Sequence, residues 1–82
     1  MFVSAQISLY PLRQARLSPV INDAISIFRT RGLEVSSGVM SSVVSGDDEP
    51  LFGAIKDVFR KSAEQSDVVM VVTLSNACPV SR

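Results

Sequence analysis

In the stretch SAQISLYPL, residues 4–12, Gln6, Ser8 and Tyr10 alternate with Ala5, Ile7 and Leu9. A period of two is that of a strand whose two faces meet different surroundings. Ala5, Ile7 and Leu9 suit a core. The other set offers an amide that both donates and accepts, a hydroxyl that can turn either way, and a phenol that can stack or donate. Thr73 and Ser75 repeat the alternation near the other end of the chain, and Ser42 adds a further hydroxyl in the middle. These groups hold polar molecules by hydrogen bonding; none is a strong base or nucleophile.

The residues that are missing point the same way. Histidine is absent and there is a single cysteine, Cys78. That removes the commonest general base and metal ligand, and leaves neither a Cys–His nucleophile nor a zinc set. The four glycines, at 32, 38, 46 and 53, match neither a dinucleotide fingerprint nor a P-loop. We therefore expect no catalytic residues, no metal and no cofactor. Cys78 reads as a small apolar side chain, Asn76 as a turn residue, and Met40 and Met70 as core filler. The Asp47–Asp48–Glu49 cluster reads as helix capping rather than a cation site.

A chain of 82 residues is one domain, residues 1–82, and buries only ~60–65% of its unfolded surface. Hydrophobic residues make up 46% and charged residues 20%, so the chain should fold rather than stay disordered. Eight Lys and Arg balance eight Asp and Glu, which gives no electrostatic footprint for nucleic acid or for a membrane surface. The first residues lack a charged n-region and a long apolar run, and no run approaches the ~20 residues of a membrane span. A single cysteine fits a reducing compartment, so a cytoplasmic location is expected.

The first strand should cover residues 3–10 and stop at Pro11. A helix follows in SPVINDAISIFRTRG, with Ser18 as N-cap, Pro19 at the first turn, and a stripe of Val20, Ala24, Ile25 and Phe28 widened by Ile21 and Ile27. Gly32 suits the position just past its end. Two short strands are expected at residues 33–37 and 40–45, joined tightly at Gly38, with Gly46 ending the second. The next helix spans 47–65, burying Leu51, Phe52, Ile55, Val58, Phe59 and Ser62 or Ala63, with Gly53 allowing close packing on the sheet. The apolar run at 68–72 reads as a central strand closed off by Pro79.

The order β-α-β-β-α-β with right-handed crossovers is the ferredoxin-like arrangement, an α+β fold with a four-stranded antiparallel sheet and both helices on one face. The first and last strands are expected as its central pair. Val68, Met70, Val72 and Leu74 should then meet the helices. Val69, Val71, Thr73 and Ser75 should join Gln6, Ser8 and Tyr10 on the open face. A mixed apolar and polar face is most simply covered by a second copy, so a homodimer or homotetramer built through that face is expected.

Several segments resemble the YkoF-type thiamin-binding family: QISLYPL ahead of a capped helix, MSSVVSG leading into DEPLFGAIKDVF, and VVMVVTLSNACP. The resemblance runs from about Ala5 to Pro79, and its most specific parts are S-L-Y-P after the first strand and M-x-x-T-x-S…P at the last. It implies ferredoxin-like domains that bind thiamin or its hydroxymethylpyrimidine half, associated with uptake of the vitamin or its precursor. The best-known members carry two such domains in tandem. This chain has one, so it is similar to the shorter relatives that assemble the equivalent unit from separate subunits.

An aminopyrimidine is flat, with ring-nitrogen acceptors and an exocyclic amine donor, and needs an apolar or aromatic wall with a few fixed polar partners. The resemblance thus implies ligand-binding roles for Gln6, Ser8, Tyr10, Ser42, Thr73 and Ser75. Each has a plainer alternative: solvent exposure or subunit contact for Gln6 and Ser8, packing for Tyr10, local hydrogen bonds at a strand end for Thr73 and Ser75. The side of the sheet to which Ser42 belongs is left open. No carboxylate is aimed at a thiazolium cation, so the pyrimidine half is the expected ligand. The competing function is a structural or regulatory oligomerisation module. An acylphosphatase-like enzyme on the same fold is disfavoured: Arg13 and Arg16 follow the first strand, but PLRQARL has no glycine to cradle phosphate.

Overall fold

A computed structural model of the chain describes residues 1–12, 18–38 and 41–77. Arg13, Arg16, Met40, Cys78 and Pro79, and the expectations placed on them, lie outside the described residues, as does the side chain of Ser18. The elements run β1 (Phe2–Pro11), α1 (Ser18–Thr30), β2 (Glu34–Ser37), β3 (Ser42–Asp47), α2 (Asp48–Gln65) and β4 (Val68–Ser75). This is the expected ferredoxin-like order. Every strand pair is antiparallel.

The sheet order is β2-β3-β1-β4, which corrects one expectation: the central pair is β1 and β3, and β4 is an edge. Each β-α-β crossover skips one strand position, so β3 returns between β2 and β1 and leaves β4 on the far side of β1. The apolar run 68–72 is therefore not buried on both faces. Val69 is 46% and Val71 52% exposed, and even Leu74 on the helix side stays 49% exposed. The last strand still lies beside the first, over the whole register from Ser4↔Ser75 to Pro11↔Val68.

Alternation in β1 puts Val3, Ala5 and Ile7 against the helices, where they join Val44, Leu51, Ala54 and Val58 in the core. On α1 the stripe behaves as expected, with Val20, Ala24 and Phe28 buried. The end of α1 is closed by two backbone bonds, Gly32 N–H to Arg29 O at 3.0 Å and Leu33 N–H to Phe28 O at 3.2 Å. That pairing requires a left-handed residue between them, and Gly32 has φ +76°. The helix end thereby drops Leu33 into the core beside Phe28.

Three details of the second half differ from expectation. β3 begins two residues later and runs through Gly46, because Val3 pairs with Gly46 and Phe2 with Asp47. A side chain at 46 would run into Leu33, so glycine serves close approach there rather than termination. The buried face of α2 is Leu51, Ala54, Val58 and Ser62, while Phe52 and Phe59 remain 44% and 43% exposed on its flank. The small Ala54 and Ser62 let the helix sit close, which rotates the two phenylalanines outward. Gly53 faces Arg31 rather than the sheet: a Cβ there would lie 3.6 Å from an Arg31 guanidinium nitrogen. Asp47 sits at the N-cap position without a side-chain cap bond. Among the described residues, no helix is long and apolar enough to cross a membrane.

Candidate functional site

The pleat sends one residue set from all four strands to the face away from the helices. Across β1 and β4, Gln6 stands opposite Thr73, Ser8 opposite Val71, Tyr10 opposite Val69, and Ser4 opposite Ser75. On the other flank of β1, Val43 lies opposite Gln6 and Ser45 opposite Ser4. Five of the six expected site residues, Gln6, Ser8, Tyr10, Thr73 and Ser75, therefore share this face. Ser42 does not: its partner in register is Ile7, and both belong to the helix side. The register of β3 against β1 fixes a parity that the serine-rich run SSVVS leaves ambiguous.

Hydrogen bonds sort the polar groups. Gln6 Nε2 donates to Ser41 Oγ at 3.2 Å, which holds the amide across β1 toward β3. The Gln6 carbonyl oxygen, the Thr73 hydroxyl and the Tyr10 phenol have no partner among the described residues. Ser75 Oγ accepts from Ala77 N–H at 3.0 Å, so it also ties off the end of β4. Ser4 and Ser45 join hydroxyl to hydroxyl at 3.1 Å, and Ser45 is buried. Ser41 and Ser45 are members of this polar row that the sequence reading missed. Ser45 lies within the expected strand, and its side is fixed only by the pairing that sets Ser45 opposite Ser4 and Val43 opposite Gln6.

On this face Gln6 and Thr73 are both exposed. Its apolar members Phe2, Val43, Val69 and Val71 are exposed as well. A described cleft of about 100 Å³ lies instead on the helix side, beside Ser42. At the end of the face remote from Tyr10, Glu34 pairs with Ser45 and Asp47 with Phe2, so two exposed carboxylates share the polar face. Both stand near element ends, as expected, and on the same side of the sheet as Gln6 and Thr73.

Two ion pairs lie away from this face. Arg31 hydrogen-bonds Asp57 between α1 and α2, and its guanidinium holds the Asp57 carboxyl below the usual carboxylate range. The Met1 ammonium donates to Asp48 Oδ1 at 3.1 Å and lowers that carboxyl likewise, with backbone N–H groups of Asp48 and Glu49 adding to it. Among the described residues, no group of three or more acidic or cysteine side chains could hold a metal ion.

Comparison with known proteins places this arrangement. The YKOF-related family matches residues 2–81. YkoF of Bacillus subtilis, named as a candidate HMP/thiamine-binding protein, is 29% identical over 75 residues, covering 90% of this chain and 38% of that protein. The chain thus spans little more than a third of the length of that relative. Among solved structures, a hypothetical protein of Methanocaldococcus jannascii superposes with a TM-score of 0.84 at 26% identity, covering 98% of this chain and 84% of the other. A Thermotoga maritima protein named as a candidate for thiamine biosynthesis or salvage gives a TM-score of 0.78 at 22% identity, covering 90% and 82%, and attests the fold.

Proposed function

Because the chain belongs to the YkoF-related family, we propose that it binds thiamin or its hydroxymethylpyrimidine half without altering it chemically, in the uptake or handling of the vitamin or its precursor. The observation that carries this reading is the opposition of Gln6 and Thr73. An amide carbonyl and a hydroxyl, both without partners among the described residues, stand side by side on one flat surface. The amide can accept from an exocyclic amine while the hydroxyl donates to a ring nitrogen. Ser8 and Tyr10 extend the row along β1, and Ser75 extends it along β4. Ser42, on the other side of the sheet, has no part in it. The name of the Bacillus subtilis relative supports the same ligand class.

A flat face binds a small molecule weakly unless something encloses it. We infer that a second copy of the chain supplies the wall. The exposed Val43, Val69 and Val71 flank the polar row and would be desolvated by such packing. The same observation favours the competing reading, an oligomerisation module with no ligand. Titration calorimetry and thermal shift with thiamin and with hydroxymethylpyrimidine separate the two. Saturable heat and a raised melting temperature are expected; a tight oligomer that responds to neither compound refutes the binding function.

A further inference from the structure

Three exposed apolar side chains lie where a partner on the polar face cannot reach them. Phe52 and Phe59 stand on α2 and Leu74 on the helix side of β4, each between 43% and 49% exposed. Arg31 reaches Asp57 from the end of α1. Phe52 and Phe59 lie roughly 140–160° round the helix from Asp57, at ~100° per residue. They therefore mark the flank of α2 turned away from α1. Because α2 packs on β3, β1 and β4 while α1 packs on β2, that flank overhangs the free edge of the sheet. The helix starts beside Met1, where Asp48 N–H donates to Met1 O at 2.9 Å, and so near the end of β4. Phe52 is thus set toward Leu74, and Phe59 toward the start of the strand.

The edge itself is undefended. Strands that stay open in a monomer carry charges, proline or a bulge that prevent further pairing. The opposite edge, β2, is four residues long and contains Glu34. By contrast β4 is eight residues long, VVMVVTLS, with no charge, proline or glycine. Every second residue along it turns its backbone N–H and C=O away from β1.

We propose that β4 pairs antiparallel with β4 of a second copy. The two sheets then join edge to edge, with the helices of both copies on one side. Self-complementarity selects this occupant. An uncharged strand meets its own copy without like-charge repulsion. A two-fold axis perpendicular to the sheet is the arrangement that brings the two α2 flanks together, with Phe52 near the partner's Phe59. Glu49 and Arg60, both exposed, then approach each other across the axis as opposite charges. Lys56, close to the axis, is long enough to turn its ammonium to solvent. Facing residues must point to the same side of the sheet, which restricts the register. Centred on Val71, Met70 meets the partner's Val72 and Val69 meets the partner's Thr73. This contact is distinct from packing on the polar face and independent of any ligand.

Amide hydrogen exchange followed by NMR reads the edge directly. With β4 unpaired, only alternate amides from Val69 to Leu74 are bonded to β1, and the others exchange quickly. With β4 paired, protection runs unbroken through the strand and fades on dilution. Phe52→Glu combined with Phe59→Glu should weaken association by roughly tenfold or more, because the carboxylates would be buried unpaired. The alternating exchange pattern should then return. If that variant does not melt cooperatively, wild-type exchange decides alone. Val71→Lys sets like charges against each other here as well as on the polar face, so it does not separate the two contacts. Alternating exchange in the wild type at millimolar concentration overturns the edge contact, as does unbroken protection that the glutamates leave unchanged. Protection that appears only when a different protein is added overturns it too, and makes β4 the acceptor of a foreign strand.

Discussion

Gln6 and Thr73, 67 positions apart in sequence, are directly opposed across the antiparallel pair of β1 and β4. Neither belongs to the core, and both present polar atoms to the face that the helices leave uncovered. The proposed vitamin site depends on this opposition. It also makes the two residues separable from folding, because exposed polar groups contribute little to stability.

Gln6→Ala and Thr73→Val should each weaken hydroxymethylpyrimidine binding, by roughly three- to tenfold for one hydrogen bond. The melting temperature should change by no more than a degree or two. Titration calorimetry beside a thermal melt checks both. Unchanged affinity in both variants would leave the polar row without a role in binding.

Glu34 and Asp47 supply negative charge at one end of the same face. If thiamin lies along the sheet with its cation toward them, Glu34→Gln combined with Asp47→Asn should weaken thiamin but not the neutral hydroxymethylpyrimidine. The difference should shrink as salt rises, since exposed charges are screened. Equal losses for both compounds would place the cation elsewhere.

Val71 is 52% exposed at the middle of β4. With a second copy packed on the sheet face, Val71→Lys would bury an unpaired charge in the interface and should return the protein to its 8.8 kDa monomer. Analytical ultracentrifugation measures this. An unchanged sedimentation profile would show that the face is not the contact.

Two glycines should respond in opposite directions to alanine. Gly46→Ala places a methyl group against Leu33 in the core and should cost about 1–3 kcal/mol. Gly53→Ala adds a methyl in ordinary contact with Arg31 and should stabilise α2 by about 0.5–1 kcal/mol. Urea unfolding of both variants reads the signs directly.

The Asp57 carboxyl is held below its ordinary 3.8 by the hydrogen bond and charge of Arg31, so it is stabilising only while ionised. Its contribution is present above the unfolded value and fades as pH falls through the lowered one. Asp57→Asn should therefore melt slightly below wild type at pH 7, and the gap should close as the pH falls through the lowered value. The pair is exposed, so the gap stays small.

The sequence alone determined the element order, both helices and the composition of the two faces of β1. Those follow from local periods and from Pro and Gly placements, which a chain expresses before it packs. It also determined that Gln6, Ser8 and Tyr10 share a side, because alternation within one strand needs no partner. What only the tertiary structure decided was pairing. The apolar run of β4 reads as a central strand, since a sequence does not register which neighbour is missing; the crossovers made β1 and β3 the centre. The phase of β3 followed from its register with β1, and a shift of two residues in its bounds still left the side of Ser42 to be settled by Ile7. The exposure of Phe52 and Phe59 was decided by the close seat of Ala54 and Ser62. Local pattern tells each residue which neighbours on its own element it stands with; only long-range contacts tell it which surface it faces.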